Sequence, residues 1–247
     1  MTRLSRTIVD GPPAPGLLAV PTTPWMWTIS VRAILNLFVR LPPGSGVSLP
    51  TSGSSSIAAA RNDLVREFLR ERSWQWMLFV DSDMEPPPDA LARLVAHDKD
   101  IASAFYFGRQ PPHAIMAYPV RPMFLEEFVG LQEMQWVGFG CVLLRRRVLE
   151  TIPDPWFEHP EAPGKHEDQV FCTKARDAGF RVWLDCDLEA GHVTPVSLGR
   201  NYIDAFDRAR EGHAGVERQQ WWPPPVQDAS TRRVSRAHDA NGVRQSE

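Results

Sequence analysis

Two aspartates separated by one residue follow an uninterrupted apolar run and give the clearest chemical signal in the sequence. The run Trp76–Val80 has the length of a strand, and Asp81, Ser82 and Asp83 follow it directly. Ligands of open α/β sheets bind outside the carboxyl ends of strands, where neighbouring carboxylates repel each other unless a cation or a proton lies between them. Carboxylate oxygens suit Mg²⁺ or Mn²⁺, which typically also bind a substrate's phosphates. An aspartate here also fits a simpler role as the cap of the next helix.

Three more polar residues farther along the chain are candidates for the same site. Glu167 and Asp168 stand at the start of a predicted helix, and His192 follows the last predicted strand. Acidic residues in a first turn are favoured by helix stability alone, and a single histidine near a strand end is usually a surface residue. Carboxylates can also act as general bases, and imidazole is a good Mn²⁺ ligand. The residue types alone therefore leave both interpretations open.

Strand-like and helix-like segments alternate along the chain and predict how these groups are positioned. The predicted strands are Gly16–Val20, Trp76–Val80, Ile101–Phe107, Val137–Leu144 and Arg181–Leu184. The predicted helices are Met26–Arg40, a segment that begins at Ile57, a segment that Pro86–Pro88 open, and His166–Ala178. Continuous apolar runs such as the second strand indicate burial on both faces, as in a parallel sheet. The alternation predicts an α/β fold with an open, mostly parallel sheet, flanking helices and a single domain.

Composition and charge exclude several classes of protein. The chain has 247 residues, of which 43% are hydrophobic and 23% charged, and this balance argues against a disordered or membrane-spanning protein. Lysine and arginine number 27 against 30 aspartates and glutamates, so we expect no general nucleic-acid binding. The three cysteines lack metal-site spacing and favour reduced thiols. With no recognisable signal peptide or transmembrane segment, the expected location is the cytoplasm.

Five short motifs, in this order, resemble those of GT-A fold glycosyltransferases of the family-2-like kind found in bacteria and phages. The motifs are Val20–Thr23, Ile57–Leu64, Leu78–Met84, Val137–Gly140 and Glu167–Cys172. The resemblance covers the chain from about Leu17 to Pro195, and it depends on the order of the motifs rather than on any one of them. It implies a Rossmann-like GT-A fold. It also implies a hexosyltransferase-like enzyme that moves a sugar from a nucleotide-diphosphate sugar to an acceptor, which the sequence does not identify.

The same resemblance implies how the donor and a divalent cation are bound. Asp83 would bind Mn²⁺ or Mg²⁺ together with the donor's diphosphate, and Asp81 would contact the ribose or the metal's waters. The implied metal ligands are Asp81, Asp83 and His192. The implied donor-binding residues are Pro21, Thr22, Thr23, Arg61, Asp81, Ser82 and Asp83.

The resemblance implies the catalytic residues, and residue types near the glycine-containing strand indicate the acceptor-binding ones. Asp168 is the expected general base, with Glu167 as its neighbour or substitute, because an inverting transfer needs a carboxylate to take the acceptor's proton. In a retaining enzyme, these two residues would position substrates instead. Trp136 is expected to stack on the acceptor, and Gly138 to let it approach the backbone. A core position for Trp136 and a strand bulge at Gly138 are the alternatives.

We divide the chain into an N-terminal extension over residues 1–15, a GT-A catalytic domain over 16–215 and a flexible C-terminal tail over 216–247. The resemblance implies the catalytic domain, and the proline-rich and then polar composition from Trp221 onward predicts the flexible tail. Two other functions stay open. A non-catalytic module that binds carbohydrate or nucleotide would use the same fold. A sugar nucleotidyltransferase is less favoured, because Pro21–Pro24 stands where such enzymes have a glycine-rich basic loop. A processive membrane-embedded synthase is disfavoured, because no Gln-x-x-Arg-Trp motif follows Glu167 and Asp168.

Overall fold

The computed structural model describes residues 14–22, 25–50, 56–109, 113–159 and 166–195. The strands are β1 (Gly16–Ala19), β2 (Gly46–Ser48), β3 (Trp76–Val80), β4 (Met84–Glu85), β5 (Ile101–Phe105), β6 (Ala117–Pro119), β7 (Leu131–Val137), β8 (Cys141–Arg145), β9 (Val182–Glu189) and β10 (Gly191–His192). The helices are α1 (Thr28–Phe38), α2 (Ile57–Arg70), α3 (Ala90–Ala96), α4 (Arg146–Thr151) and α5 (Glu167–Asp177), with a 3-10 turn at Leu125–Glu127. The expected tail and most of the expected N-terminal extension lie outside the described residues.

Eight strands form one mixed sheet in the order β2-β1-β3-β8-β5-β9-β7-β6, and β4 pairs with β10 in a separate ribbon. β1 runs parallel to β2 and to β3, and β5 runs parallel to β9. The other four pairings of the large sheet are antiparallel. The predicted α/β class is confirmed, but the sheet is mixed rather than mostly parallel. β8 lies between β3 and β5 and opposes both, so a continuous apolar strand does not require parallel neighbours.

The prediction of one strand over Val137–Leu144 is wrong, because β7 ends at Val137 and β8 begins only at Cys141. The Gly138 N–H donates to the Met116 carbonyl at 2.7 Å, and the Gly140 N–H donates to the Tyr106 hydroxyl at 2.9 Å. A Cβ added at either glycine would meet the Tyr106 phenol ring. The two glycines therefore let the backbone pass close to Tyr106 at the cost of regular ladder pairing.

Local signals account for the helices. The Ser56 side chain accepts from the Ala59 N–H at 3.2 Å and caps α2, an interaction that contributes about 1 kcal/mol. α5 agrees with its predicted bounds within a residue at each end. α3 begins only at Ala90, after the proline run, because β4 and the chain that follows it occupy the positions between Asp83 and the helix.

Apolar side chains fill both faces of the sheet. One face packs against α2, α4 and α5, with Phe68, Leu149 and Phe171 among the buried contacts, and the other packs against α1 and α3. Covering both faces explains why β3 and β5 are fully buried along their length. In the described part of the chain, no helix is both long enough and apolar enough to cross a bilayer.

Candidate active site

The aspartate pair leaves the carboxyl end of β3 and turns directly into β4. The Met84 N–H donates to the Asp81 carbonyl at 3.0 Å and closes this turn. β4 then pairs with β10, which sets Met84 opposite His192, and the Val193 N–H donates to the Asp83 carbonyl at 2.8 Å. These main-chain bonds bring the histidine beside the aspartates. The helix cap of α3 is Asp89, so neither Asp81 nor Asp83 serves as the cap that the alternative interpretation required.

Asp83 and His192 form a pair that suits a divalent cation. Nε2 of His192 lies 3.5 Å from Oδ2 of Asp83, and Nδ1 lies 2.9 Å from the carbonyl oxygen of Phe107. Because a carbonyl oxygen can only accept, Nδ1 carries the proton of that hydrogen bond. Without a proton on Nε2, that nitrogen presents its lone pair to the space beside Asp83, where a cation would bind; with a proton, Nε2 carries charge and donates to the Asp83 carboxylate. Metal-binding histidines are commonly held by a backbone carbonyl in this way.

Arg109 is a third member of this group, and sequence reasoning missed it. Its Nη1 lies 2.8 Å from Oδ2 of Asp83, and half of its side chain is exposed. Burial raises the pKa of Asp83, but the hydrogen bond and charge of His192 and the charge of Arg109 outweigh burial and bring the pKa below its ordinary value. Asp83 is therefore ionised at neutral pH. The available signal was the position of Arg109 just beyond the end of the predicted strand Ile101–Phe107.

Asp81 is turned away from this pair and toward a buried arginine. Nη2 of Arg61 donates to both carboxylate oxygens of Asp81, at 2.9 and 3.1 Å, and Nη1 contacts Glu167. The guanidinium also lies 5.5 Å from the ring centroid of Phe139 and 5.8 Å from that of Phe157. Burial raises the pKa of Asp81 more strongly than the charge of Arg61 lowers it.

This geometry changes two of the expected roles. Arg61 is only 2% exposed, so it is not placed to touch a donor as expected, and it binds Asp81 and Glu167 instead. Among the described residues, no three His, Cys, Asp or Glu side chains gather as a metal-binding group. Asp83 and His192 converge, whereas the Asp81 carboxylate is held by Arg61. Two protein ligands are compatible with Mg²⁺ or Mn²⁺, because these ions often complete their shell with waters and substrate phosphates.

Asp168 and Glu167 begin α5 and differ in their freedom to react. The Glu167 carboxylate is committed to Arg61, whereas Oδ1 of Asp168 accepts from the Gln169 N–H at 2.7 Å. Burial and then the neighbouring charge of Glu167 raise the pKa of Asp168 to about 6, although the charge of Arg61 opposes this. A carboxylate with this pKa is ionised at neutral pH and is a better proton acceptor than an ordinary aspartate.

The expected nucleotide-binding segment follows β1 at the same edge of the sheet. Because β1 and β3 are parallel neighbours, the chain leaves both strands on one side, which places Pro21 and Thr22 near the level of Asp81. Pro21 is buried and Thr22 partly exposed, while Thr23 lies outside the described residues. Ser82 occupies the turn between the aspartates and is partly exposed.

The expected acceptor-binding residues lie on and just after β7. Trp136 stacks on Tyr118, with 6.3 Å between ring centroids and 17° between ring planes, and it packs against the core. At Gly138, the Tyr106 phenol fills the space in which a substrate was expected, so the expectation for Gly138 is corrected.

A shallow cavity of about 440 Å³ lies near Glu133 and the end of α5, and its lining includes none of Asp83, Arg109 and His192.

The geometry can be compared with known proteins. No protein-family model matches the sequence, and no curated protein matches it. The crystal structure of A197 from STIV superimposes with a TM-score of 0.56 and 17% identity, covering 73% of this chain and 86% of that chain. The structure of GalNAc-T7 with UDP, GalNAc and Mn²⁺ superimposes with a TM-score of 0.55 and 10% identity, covering 74% of this chain and 44% of that chain. At such identities the likeness shows the fold alone, and the fold is the GT-A-like α/β fold that glycosyltransferases share.

Proposed function

We propose that this protein is a metal-dependent glycosyltransferase that moves a sugar from a nucleotide-diphosphate sugar to an acceptor. The observation that carries the proposal is the approach of His192 Nε2 to Asp83 Oδ2, at 3.5 Å, beside the carboxyl end of β3 on a GT-A-like fold. Ligands of open α/β sheets bind at this end of the strands. GalNAc-T7, a fold neighbour, has been solved with UDP, GalNAc and Mn²⁺, which supports the same ligand classes here.

Asp83 and His192 would hold the divalent cation, with the imidazole oriented by the Phe107 carbonyl. When bound, Mn²⁺ or Mg²⁺ supplies a Lewis acid that stabilises the negative charge of the departing diphosphate. Arg109 contacts Asp83 and is half exposed, so its guanidinium would be available to pair with the same phosphates. It would add positive charge beside the departing diphosphate.

Asp168 is the general base of this proposal. As the acceptor oxygen forms its bond to the sugar carbon, the bond from that carbon to the diphosphate oxygen breaks, and the acceptor's proton passes to the Asp168 carboxylate. The raised pKa of Asp168, about 6, makes its carboxylate suitable for this transfer. Glu167 keeps its ion pair with Arg61 and positions α5 against Asp81. If configuration is retained, Asp168 positions the acceptor instead.

One observation favours a second candidate, a non-catalytic module that binds nucleotide or carbohydrate. Asp81 and Asp83 each already have an arginine partner, Arg61 and Arg109, so their charges are balanced without a metal. Such a module would bind its ligand without turning it over.

Isothermal titration with nucleoside diphosphates, with and without Mn²⁺, tests the proposal. Asp83→Asn removes one ligand charge and should weaken the Mn²⁺-dependent binding by more than about tenfold. Asp98→Asn is the matched control, because Asp98 is almost fully exposed and Asn tolerates its positive φ of 50°. Binding that ignores both Mn²⁺ and Asp83→Asn would contradict the proposal.

Turnover separates the two candidates. The wild type should hydrolyse some nucleotide sugar slowly when Mn²⁺ is present, and Asp168→Asn should lower this rate or the transfer rate by about 10²-fold or more while leaving diphosphate binding intact. Mn²⁺-dependent binding without turnover of any donor in a broad panel would favour the non-catalytic module.

We also propose a cytoplasmic location for the protein, which the free thiols of Cys141, Cys172 and Cys186 support.

A further inference from the structure

Helix α1 carries apolar side chains on two opposite sides, and among the described residues only one of these sides packs against the core. Ile34 and Leu37 are buried beneath the sheet. The outer α1 face, defined here as Val31, Leu35, Phe38 and Val39, follows helical spacing and is 38% to 71% exposed. A contiguous apolar patch of this kind on a surface marks a site of interaction.

The charged side chains of α1 and of the residues that flank it in sequence are all positive. The segment 25–41 contains Arg32 and Arg40 and no aspartate or glutamate. Both arginines are exposed, and Arg32 pairs at 3.1 Å with Glu85, which lies outside the segment. Trp25, just before the helix, is 66% exposed and contacts Trp27 edge to face. Exposed apolar and aromatic side chains flanked by arginine are typical of helices that lie in a membrane interface.

We propose that the outer α1 face docks on the surface of a bilayer that contains anionic lipid. Leu35 and Phe38 would enter the boundary between headgroups and acyl chains, with the helix parallel to the membrane. Arg40 would contact lipid phosphates, because long arginine side chains keep their charge in the polar layer while their stems cover apolar surface. Arg32 would do so only in exchange for its ion pair with Glu85. Trp25 would lie at headgroup level, where amphipathic rings are favoured.

A second copy of this chain fits the same face less well. A two-fold contact through the outer α1 face would gather Arg32 and Arg40 from both copies. Glu85 offsets the charge of each Arg32, but segment 25–41 has no carboxylate to offset the charge of either Arg40. An anionic lipid surface supplies that negative charge and accepts the apolar side chains at the same time. The attraction is local, because the whole chain has a net charge of −3.

The docking face lies beside the candidate active site. α1 contacts β4, and the Arg32–Glu85 ion pair reaches the strand that follows Asp83. A docked protein would thus present Asp83 and His192 close to the lipid surface. That an acceptor carried by the bilayer reaches the site from this side rests on the proposed function, whereas the docking itself does not.

Sedimentation of the full chain with vesicles tests the docking without reference to activity. Vesicles of phosphatidylcholine with about 30% phosphatidylglycerol should bind the protein more tightly than vesicles of phosphatidylcholine alone. Leu35→Glu with Phe38→Glu should weaken that binding by more than about 30-fold, because two apolar anchors are lost and two like charges face the lipid. Arg40→Gln should weaken it by about fivefold. Val129→Glu is the matched control, since Val129 is 58% exposed on another part of the surface.

Several results would overturn the proposal. Failure of the wild type to bind either kind of vesicle rejects the proposal by itself. Equal weakening by Val129→Glu, or binding untouched by the Leu35 and Phe38 substitutions, places the lipid contact elsewhere on the chain. A dimer in analytical ultracentrifugation that Leu35→Glu dissociates, together with no vesicle binding, assigns the face to a second copy. Loss of nucleotide binding or turnover with vesicle binding intact would instead contradict only the proposed function.

Discussion

Asp168 and Asp185 are both buried carboxylates with an arginine nearby, but their surroundings differ. Asp185, on β9, accepts from Arg93 through both oxygens at 3.0 and 3.1 Å. It also lies 2.8 Å from Nε2 of His97 and accepts from the Asp187 N–H at 3.1 Å. These donors come from α3 and from β9 itself, so Asp185 ties a helix to the sheet.

Asp168 has far fewer partners. In the described part of the chain, it accepts one hydrogen bond, from the Gln169 N–H, and the charge with the largest effect on its pKa is that of another carboxylate, Glu167. Its pKa is accordingly raised to about 6. The comparison teaches that a buried acid with its oxygens fully bonded supports the fold, whereas one with unfilled bonding capacity and a raised pKa remains able to accept a proton.

Removing the buried arginine of the candidate active site has the largest expected effect. Arg61→Met leaves the carboxylates of Asp81 and Glu167 without their cation, which should lower the free energy of unfolding by about 3–4 kcal/mol. Arg93→Met should lower it by about 1–2 kcal/mol, because Asp185 keeps two other donors and the Arg93 side chain is already 36% exposed. Urea unfolding measures both losses. Equal losses would break the comparison between the two clusters.

Asp168→Asn should raise stability at neutral pH. The folded pKa of Asp168, about 6, lies above the ordinary 3.8, so the native state binds more protons than the unfolded state between these values. The wild type therefore loses stability as pH rises through this window, and the variant lacks this loss. The free energy of unfolding of Asp168→Asn, relative to that of the wild type, should therefore increase by about 2–3 kcal/mol as the pH rises from about 4 to about 7.5. Urea unfolding at both pH values tests this, and a difference that does not change with pH would contradict it.

Asp185→Asn should change stability in the opposite direction. The amide cannot accept from all the donors that Asp185 satisfies, so unfolding should become easier by about 2 kcal/mol. Mn²⁺-dependent nucleotide binding should stay within about twofold of the wild type once the variant is folded. Asp185 shares no hydrogen-bond partner with Asp83 in the described residues, and substitutions at such sites act independently. Thermal unfolding and titration together measure this. A variant as stable as the wild type would show that the filled bonding shell of Asp185 contributes nothing.

Tyr106→Phe has the smallest expected effect. It removes the hydroxyl that accepts from the Gly140 N–H, which should cost about 1 kcal/mol in urea unfolding. The Gly140 carbonyl accepts from the Asp81 N–H at 3.0 Å, so a small loss of nucleotide affinity should accompany it. A variant that loses no stability would show that this hydrogen bond does not support the aspartate turn.

Features with a local cause could be predicted from the sequence. The strand before Asp81 is a continuous apolar run, and α2 and α5 have helical apolar spacing, so these elements and the α/β class follow from short stretches of chain. The convergence of Asp83 and His192 was expected only through the resemblance of five ordered motifs. Periodicity alone carries no information about which distant residues meet.

Features that depend on distant partners could not be predicted. Arg61 has the spacing of an ordinary helix-surface arginine, and its burial depends on Asp81 and Glu167, which come from other elements. The glycine itself allowed a strand bulge at Gly138 as an alternative, but the filling of that space by Tyr106 and the antiparallel course of β8 depend on how distant elements pack. Each of these outcomes is decided by tertiary contacts rather than by local preference.

The contact between Tyr106 and the two glycines has an evolutionary consequence. Any side chain at position 138 or 140 competes with the phenol for the same volume, so these positions are free to vary only together. A distant homologue with alanine or serine at either glycine is expected to carry a smaller residue in place of the tyrosine. Covariation at these three positions would therefore trace this turn through relatives that are aligned by structure although most of their sequence has diverged.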